Sequence, residues 1–536
     1  MRTNAFAHVA PGSSASLRWF ALLGSFASLH CSPSTADAPA GLGGSAAQLT
    51  SSYAGAPGGG ASNGGTGPTP GGGTGTTTPG GGSGNTISGG GANPGGSGSN
   101  PGGGGANPGG GANPGGGGSN PGGGTAGMGG VLVPSGPNTA PGYVNLAPPM
   151  GDPLPETGDM VTPAPPTGWN WFDIDGAICR DGSPTGIYVH RGTADKLVIY
   201  LEGGGACSNG NFCTFNPSSV DQVLAGDGQT VLGTAAGAGM GRQQPGVYTD
   251  FAHMGPPKGI FDFANAANPF KDWSQVYVPY CTGDVFFGTR KDSMVPGSTT
   301  PQQFVGYLNM QKIIGRLVPT FKDKVSHVVI TGASAGGFGA ALNYSMVQDA
   351  FGSVLVTAIS DSGPPFDDKY MPVCMQKRWR EAWGFEKSLP PDCKECQQAD
   401  GGGLVHLADF LMKKHPNGTL AVISSTQDEV IRLFYSVGLV DCMNYDTANP
   451  VAIVLAQGDA NTYYQPQGYT DGLNDLRTKY IGTKRFASFY FAGANVTYHQ
   501  HIFRDRFFDN TLVSGQETIA QFVSNFVAGK IETVGP

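Results

Sequence analysis

Charge is scarce in this chain. Only 13% of its 536 residues are Asp, Glu, Lys or Arg, the net charge is −8, and no long run of Lys and Arg occurs. The electrostatic footprint of a protein that binds nucleic acid or an anionic membrane surface is therefore missing. Long apolar stretches are missing too. The segment Trp19 to Leu29 is too short to cross a bilayer as a helix, but it has the length of a signal-peptide core. Glycine is abundant, at 90 residues, yet it does not recur at every third position, which excludes a collagen triple helix. The cysteines follow no compact zinc pattern. A site built from the CxxC at Cys393 and Cys396 with Cys374 and Cys442 has spacings that no such module uses, and no metal is expected.

What is present divides into three parts. Arg2 and Arg18 precede the apolar segment, so residues 1–31 read as an export signal. Leu29 His30 Cys31 is like a bacterial lipobox with His where a small residue belongs, and it offers a lipid anchor through Cys31; Ala36 Asp37 Ala38 offers ordinary cleavage instead. The expected location is secreted or anchored at the bacterial cell surface. From 32 to 167 Gly dominates, with Pro, Ser, Thr and Asn, and Gly-Ala-Asn-Pro-Gly-Gly recurs irregularly. Such a composition buries too little apolar surface to offset the entropy of ordering, which predicts a disordered linker. At ~5–6 Å × √n, about 130 such residues span roughly 60–65 Å. Composition changes at Gly168, and residues 168–531 form the third part.

Within that part, short apolar runs alternate with longer segments: 196–201, 276–280, 325–331, 354–359, 420–423 and 486–491. This spacing predicts buried parallel strands with crossovers, with function at their carboxyl ends. A final helix is expected after a capping box at Ser514 to Glu517, with Ile519, Phe522, Val523 and Phe526 on one face and Gly529 as its stop. Eight cysteines in this part (Cys179, Cys207, Cys213, Cys281, Cys374, Cys393, Cys396, Cys442) read as disulfides, of undetermined pairing.

Gly332 Ala333 Ser334 Ala335 Gly336 is a GxSxG pentapeptide between a β-branched run and a small-residue helix. On such a turn the flanking glycines permit the tight backbone that exposes a serine hydroxyl at the top of a sheet. A nucleophilic serine needs a base, and the base an acceptor. After Ser334 the histidines are His406, His415, His499 and His501, and the last two lie just beyond the final strand. His501 is favoured, with His499 as the alternative. For the acid, Asp428 beyond the run 420–423 is favoured over Asp361, whose other reading is a loop anchor. Oxyanion donors are expected from the backbone of Ala335 and of the Gly203 Gly204 Gly205 loop.

The blocks Leu201 to Cys207 (LEGGGAC), Val276 to Gly288 (VYVPYCTGDVFFG) and Gly332 to Gly337 (GASAGG), in that order, resemble the pectin acetylesterase and Notum family of α/β-hydrolases. The resemblance implies an α/β-hydrolase-like, mostly parallel sheet with helices on both faces. It also implies a carboxylesterase with Ser334, Asp428 and His501 as triad and Gly204, Gly205 and Ala335 as oxyanion hole. No metal or organic cofactor is required. Two positions depart from the family pattern, Ala206 in place of Trp and Thr282 in place of Asp, and both bear on the pocket. Plant members act on acetylated pectin and the Notum branch on a fatty acyl ester. The expected partner is an acylated polysaccharide or another ester substrate, no nucleic acid is expected, and the enzyme is expected to be a monomer. Two rival readings are a lipase-like or polyester hydrolase, with Phe286, Phe287, Phe434 and Tyr435 as acyl pocket, and a non-catalytic glycan-binding module.

Overall fold

A computed structural model describes residues 136–160, 167–210, 213, 258–443, 464–481, 485–492, 498–509 and 517–536. The apolar segment Trp19 to Leu29, Cys31 and Ser514 lie outside the described residues. The strands are β1 (Trp169–Ile178), β2 (Pro184–His190), β3 (Lys196–Leu201), β4 (Ser274–Val278), β5 (Arg290–Ser293), β6 (Gln302–Phe304), β7 (His327–Ala333), β8 (Leu355–Asp361), β9 (Thr419–Ser425), β10 (Phe486–Phe491) and β11 (Thr533–Val534). Nine of them make one sheet in the order β1-β2-β4-β3-β7-β8-β9-β10-β11, parallel from β4 to β11 and antiparallel at β1 and β2. The fold is α/β, as the spacing of the apolar runs predicts.

Alternation along each strand separates two cores. In β3, Leu197, Ile199 and Leu201 join one, and Val198 and Tyr200 the other. The helices are α1 (Gly306–Phe321), α2 (Ala335–Phe351), α3 (Val373–Trp383), α4 (His406–Lys414), α5 (Glu429–Met443), α6 (Pro466–Ile481) and α7 (Ile519–Val527). Every residue of α2 is buried, which fits its composition of small and apolar side chains on all sides. On the opposite face α7 buries Ile519, Phe522, Val523 and Phe526. Its capping box is Thr518 with Gln521, four residues beyond the expected Ser514, and it satisfies both the N-cap and N3 amides.

The six apolar runs are β3, β4, β7, β8, β9 and β10. The antiparallel β1–β2 pair, the β5–β6 hairpin and two-residue β11 carry weaker patterns, since β1 mixes exposed and buried residues without regular alternation. The eight cysteines are joined as Cys179–Cys281, Cys207–Cys213, Cys374–Cys442 and Cys393–Cys396. These pairings use the sulfurs that the zinc alternative needs.

Ordered packing begins before the composition change at Gly168. Residues 136–154 run as a strap across the amino-end side of the sheet, where Ala140 N–H donates to the Lys414 carbonyl, Leu146 N–H to Asp349 and Leu154 N–H to Thr320. Asp349 and Lys414 form a 2.7 Å ion pair with both side chains fully buried, and Lys414 also donates to the Val144 carbonyl. A buried charge stripped of its partner costs about 3–5 kcal/mol. Lys414→Met is therefore expected to lower the unfolding free energy by about that amount in urea titrations, and a chain beginning at Gly168 to be destabilised as well. An unfolding midpoint unchanged in both would show that the strap contributes nothing.

Candidate active site

Five parallel strands end in the segments that make up the site. β7 leads straight into Ser334, whose backbone at φ 59°, ψ −120° is one that non-glycine residues enter only under strain. Space at this turn is provided by missing side chains. A Cβ on Gly336 would stand 1.9 Å from the Leu201 carbonyl oxygen, and one on Gly332 2.4 Å from the same atom. Ala335 opens α2, so its N–H is one that the helix leaves without an intrahelical acceptor.

β3 leads into Gly203, Gly204 and Gly205, all buried, with Gly204 and Gly205 at φ 159° and 82°. Tyr280 holds this loop. Its hydroxyl donates to the Gly205 carbonyl at 3.0 Å and accepts from Val285 N–H at 2.8 Å, while its own N–H donates to Glu202 at 2.9 Å. Burial pushes the Tyr280 phenol well above its usual pKa, so it remains a donor. Further along, Cys207 is tied to Cys213, and its carbonyl accepts from Trp383 Nε1 at 2.8 Å. Thr282, at the second departure from the family pattern, donates to buried Asp284 at 2.6 Å, and burial raises that carboxyl to about 6.

β9 leads to Asp428, which is fully buried. Its Oδ1 accepts from the Val430 and Ile431 amides at 3.0 Å each, and its Oδ2 lies 2.8 Å from His499 Nδ1. With Nδ1 committed to the carboxylate, Nε2 is the nitrogen left to take a proton. Ser334 forms no side-chain hydrogen bond among the described residues.

The histidine preferred from the sequence stands elsewhere. His501 is fully buried, with Nε2 3.3 Å from Ser362 Oγ and 3.7 Å from Asp361 Oδ1, and its ring meets Phe491 edge-on. Burial holds it well below the usual histidine pKa. The carboxylate of Asp428 is thus met by His499 and not by His501. The cause lies in the backbone of their loop. Asp361 Oδ2 accepts from the His501 and Ile502 amides at 2.6 and 2.9 Å, and Ser362 Oγ accepts from the Gln500 amide at 3.1 Å. Pinned in this way, the loop turns His501 inward and leaves His499 on the Asp428 side. Asp361 therefore anchors the loop that carries both histidines. Ser362, Gln500 and Tyr280 were not singled out from the sequence; Gln500, between the two histidines, is the one whose position could have drawn notice.

Among the described residues, a cavity of about 20 Å³ opens beside the glycine loop, lined by Ala206, Ser208, Asn209, Met375, Trp379 and Phe434. Phe286, Phe287 and Tyr435 are packed in the core and do not line it. No group of side chains among the described residues is arranged to hold a metal ion, and no described helix is long and apolar enough to cross a membrane.

A parallel sheet with a strained serine at the carboxyl end of one strand and an Asp–His pair beyond two others defines an α/β protein of the hydrolase type. The chain belongs to the pectinacetylesterase family, whose model matches residues 172–227 and 244–533. It is also similar to palmitoleoyl-protein carboxylesterase NOTUM of Drosophila melanogaster, at 25% identity over 41% of this chain and 31% of that protein. The human protein of the same name is 25% identical over 36% of this chain and 35% of its own length. That of Schmidtea mediterranea is 28% identical over 32% and 28%. The chain thus spans about a third of the length of the curated relatives it matches.

The Asp361 anchor has a pH signature. Burial raises its carboxyl to about 6, partly offset by the two amide donors, whereas an unfolded chain releases this proton near ~3.9. Between about pH 4 and 6 the folded state holds a proton that the unfolded state has lost, so this group makes stability fall as pH rises through the window. Asp361→Asn should remove that share of the slope in unfolding free energies measured from pH 4 to 6. An unchanged slope would mean that Asp361 does not titrate there.

Proposed function

We propose that the chain is an exported serine carboxylesterase that removes a short O-acyl group, acetyl in the first instance, from an acylated polysaccharide. The observation that carries this reading is the 2.8 Å Asp428–His499 contact beyond the ends of β9 and β10, in a sheet that also presents Ser334 on its strained turn. In this reading Ser334 Oγ attacks the acyl carbon while His499 Nε2 takes its proton. The amides of Gly204, Gly205 and Ala335 receive the oxyanion, and His499 then returns the proton to the leaving alcohol. Asp428 holds the imidazole in the required tautomer and stabilises its protonated form. Water repeats the sequence on the acyl-enzyme and releases the acid.

The choice of acetyl rests on the match to the pectinacetylesterase family, against the palmitoleoyl group that the NOTUM relatives are named for. Export rests on the apolar segment Trp19 to Leu29, and lipid anchoring on Cys31.

Hydrolysis of p-nitrophenyl acetate by the purified protein tests the proposal. Ser334→Ala is expected to abolish turnover and His499→Ala to lower kcat about 10²–10⁴-fold, while His501→Gln reduces thermal stability and keeps most of the activity. Ser334→Ala with wild-type activity would sink the esterase reading of this site. Lengthening the acyl chain from acetyl to octanoyl should not raise kcat/KM; a gain approaching ~0.8 kcal/mol per added methylene would point to a lipid pocket instead.

A further inference from the structure

Gln500 sits between the two histidines in a conformation that needs a reason. It is buried, with φ at 62°, and its amide N–H is fixed on Ser362 Oγ. Its side chain is fixed as well, because Arg504 Nη2 donates to Gln500 Oε1 at 3.1 Å. A guanidinium has donors only, so the oxygen of the Gln500 amide must face Arg504 and the NH₂ must face the other way. In that direction lies the nucleophile. Gln500 Nε2 is 2.6 Å from the point where a Cβ on Gly203 would stand, and that point is 3.1 Å from the Cβ of Ser334. Among the described residues Nε2 has no hydrogen-bond acceptor.

An oriented donor with no acceptor among the described residues, lodged between the glycine loop and Ser334, suits a group that appears only during reaction. We propose that Gln500 Nε2 is a further donor to the acyl oxygen, adding a side-chain amide to the backbone donors of Gly204, Gly205 and Ala335. Gly203 makes the arrangement possible, since any side chain there would occupy the place of the amide. Arg504 is the positioning residue that fixes which end of the amide faces the substrate. When Ser334 Oγ bonds to the acyl carbon, the carbonyl π pair moves to oxygen, and Gln500 donates a hydrogen bond to the resulting oxyanion without transferring its proton. The inference rests on the reading of Ser334 as nucleophile.

The test measures kcat, KM and melting temperature on p-nitrophenyl acetate for wild type, Ser334→Ala, Gln500→Leu, Gln500→Glu and Arg504→Met. Loss of an oxyanion donor costs about 10²–10³ in kcat. That loss is expected in both Gln500 variants with KM and melting temperature near wild type, and a smaller loss in Arg504→Met, where the amide is free to turn. A folded Gln500 variant with kcat within twofold of wild type would overturn the inference, and so would a loss confined to KM. Should Gln500→Leu fail to fold, Gln500→Glu, which keeps the shape and removes the donor, decides alone. Ser334→Ala as active as wild type defeats the underlying triad reading, an outcome separable from failure of the Gln500 variants alone.

Discussion

The architecture depends on three backbone segments lying closer together than side chains would allow. Leu201 to Gly203, Gly332 to Gly337 and Asp361 to Gly363 meet at the carboxyl ends of β3, β7 and β8. A Cβ on Gly336 would press into the Leu201 carbonyl at 1.9 Å, one on Gly337 into the Asp361 carbonyl at 2.4 Å, and one on Gly363 onto the Phe338 amide nitrogen at 2.3 Å. Because interiors are close-packed and yield little, this contact fixes the relative position of Ser334, the glycine loop and Asp361 at once. Strain at Ser334 is held in place by the surrounding sheet, as strained functional residues require.

From this contact the rest of the site extends outward. Tyr280 and the Cys207–Cys213 bond hold the glycine loop from its far side, and Asp361 with Ser362 holds the loop of His499. Asp361 has backbone N–H groups as its closest partners, with the imidazole of His501 3.7 Å away. Such an arrangement orients a loop through hydrogen-bond direction, and so sets which way His499 and His501 face.

Much of this was legible in the sequence because it is periodic or local. The apolar runs of β3, β7, β8, β9 and β10 state a buried parallel sheet, and GASAG with a helix after it states the turn. Asp428 follows from its place beyond β9. The choice between His499 and His501 was not legible, because it turns on which way a clamped backbone rotates two side chains two residues apart. Both clamping residues come from a different strand end. The strap at 136–154 was hidden for another reason. Its composition continues that of the linker, and its hold on the domain comes from Asp349 and Lys414, far along the chain.

That strap also sets a direction. Its contacts are with the carboxyl end of α2 at Asp349 and Gly352 and with Lys414 and His415 at the end of α4, just ahead of β8 and β9. Ser334 and Asp428 lie beyond the other ends of the strands. The chain therefore enters the domain at the pole opposite the serine. A pull transmitted through residue 136 would load the floor of the sheet and its buried ion pair before it reached the strand ends that carry Ser334 and Asp428.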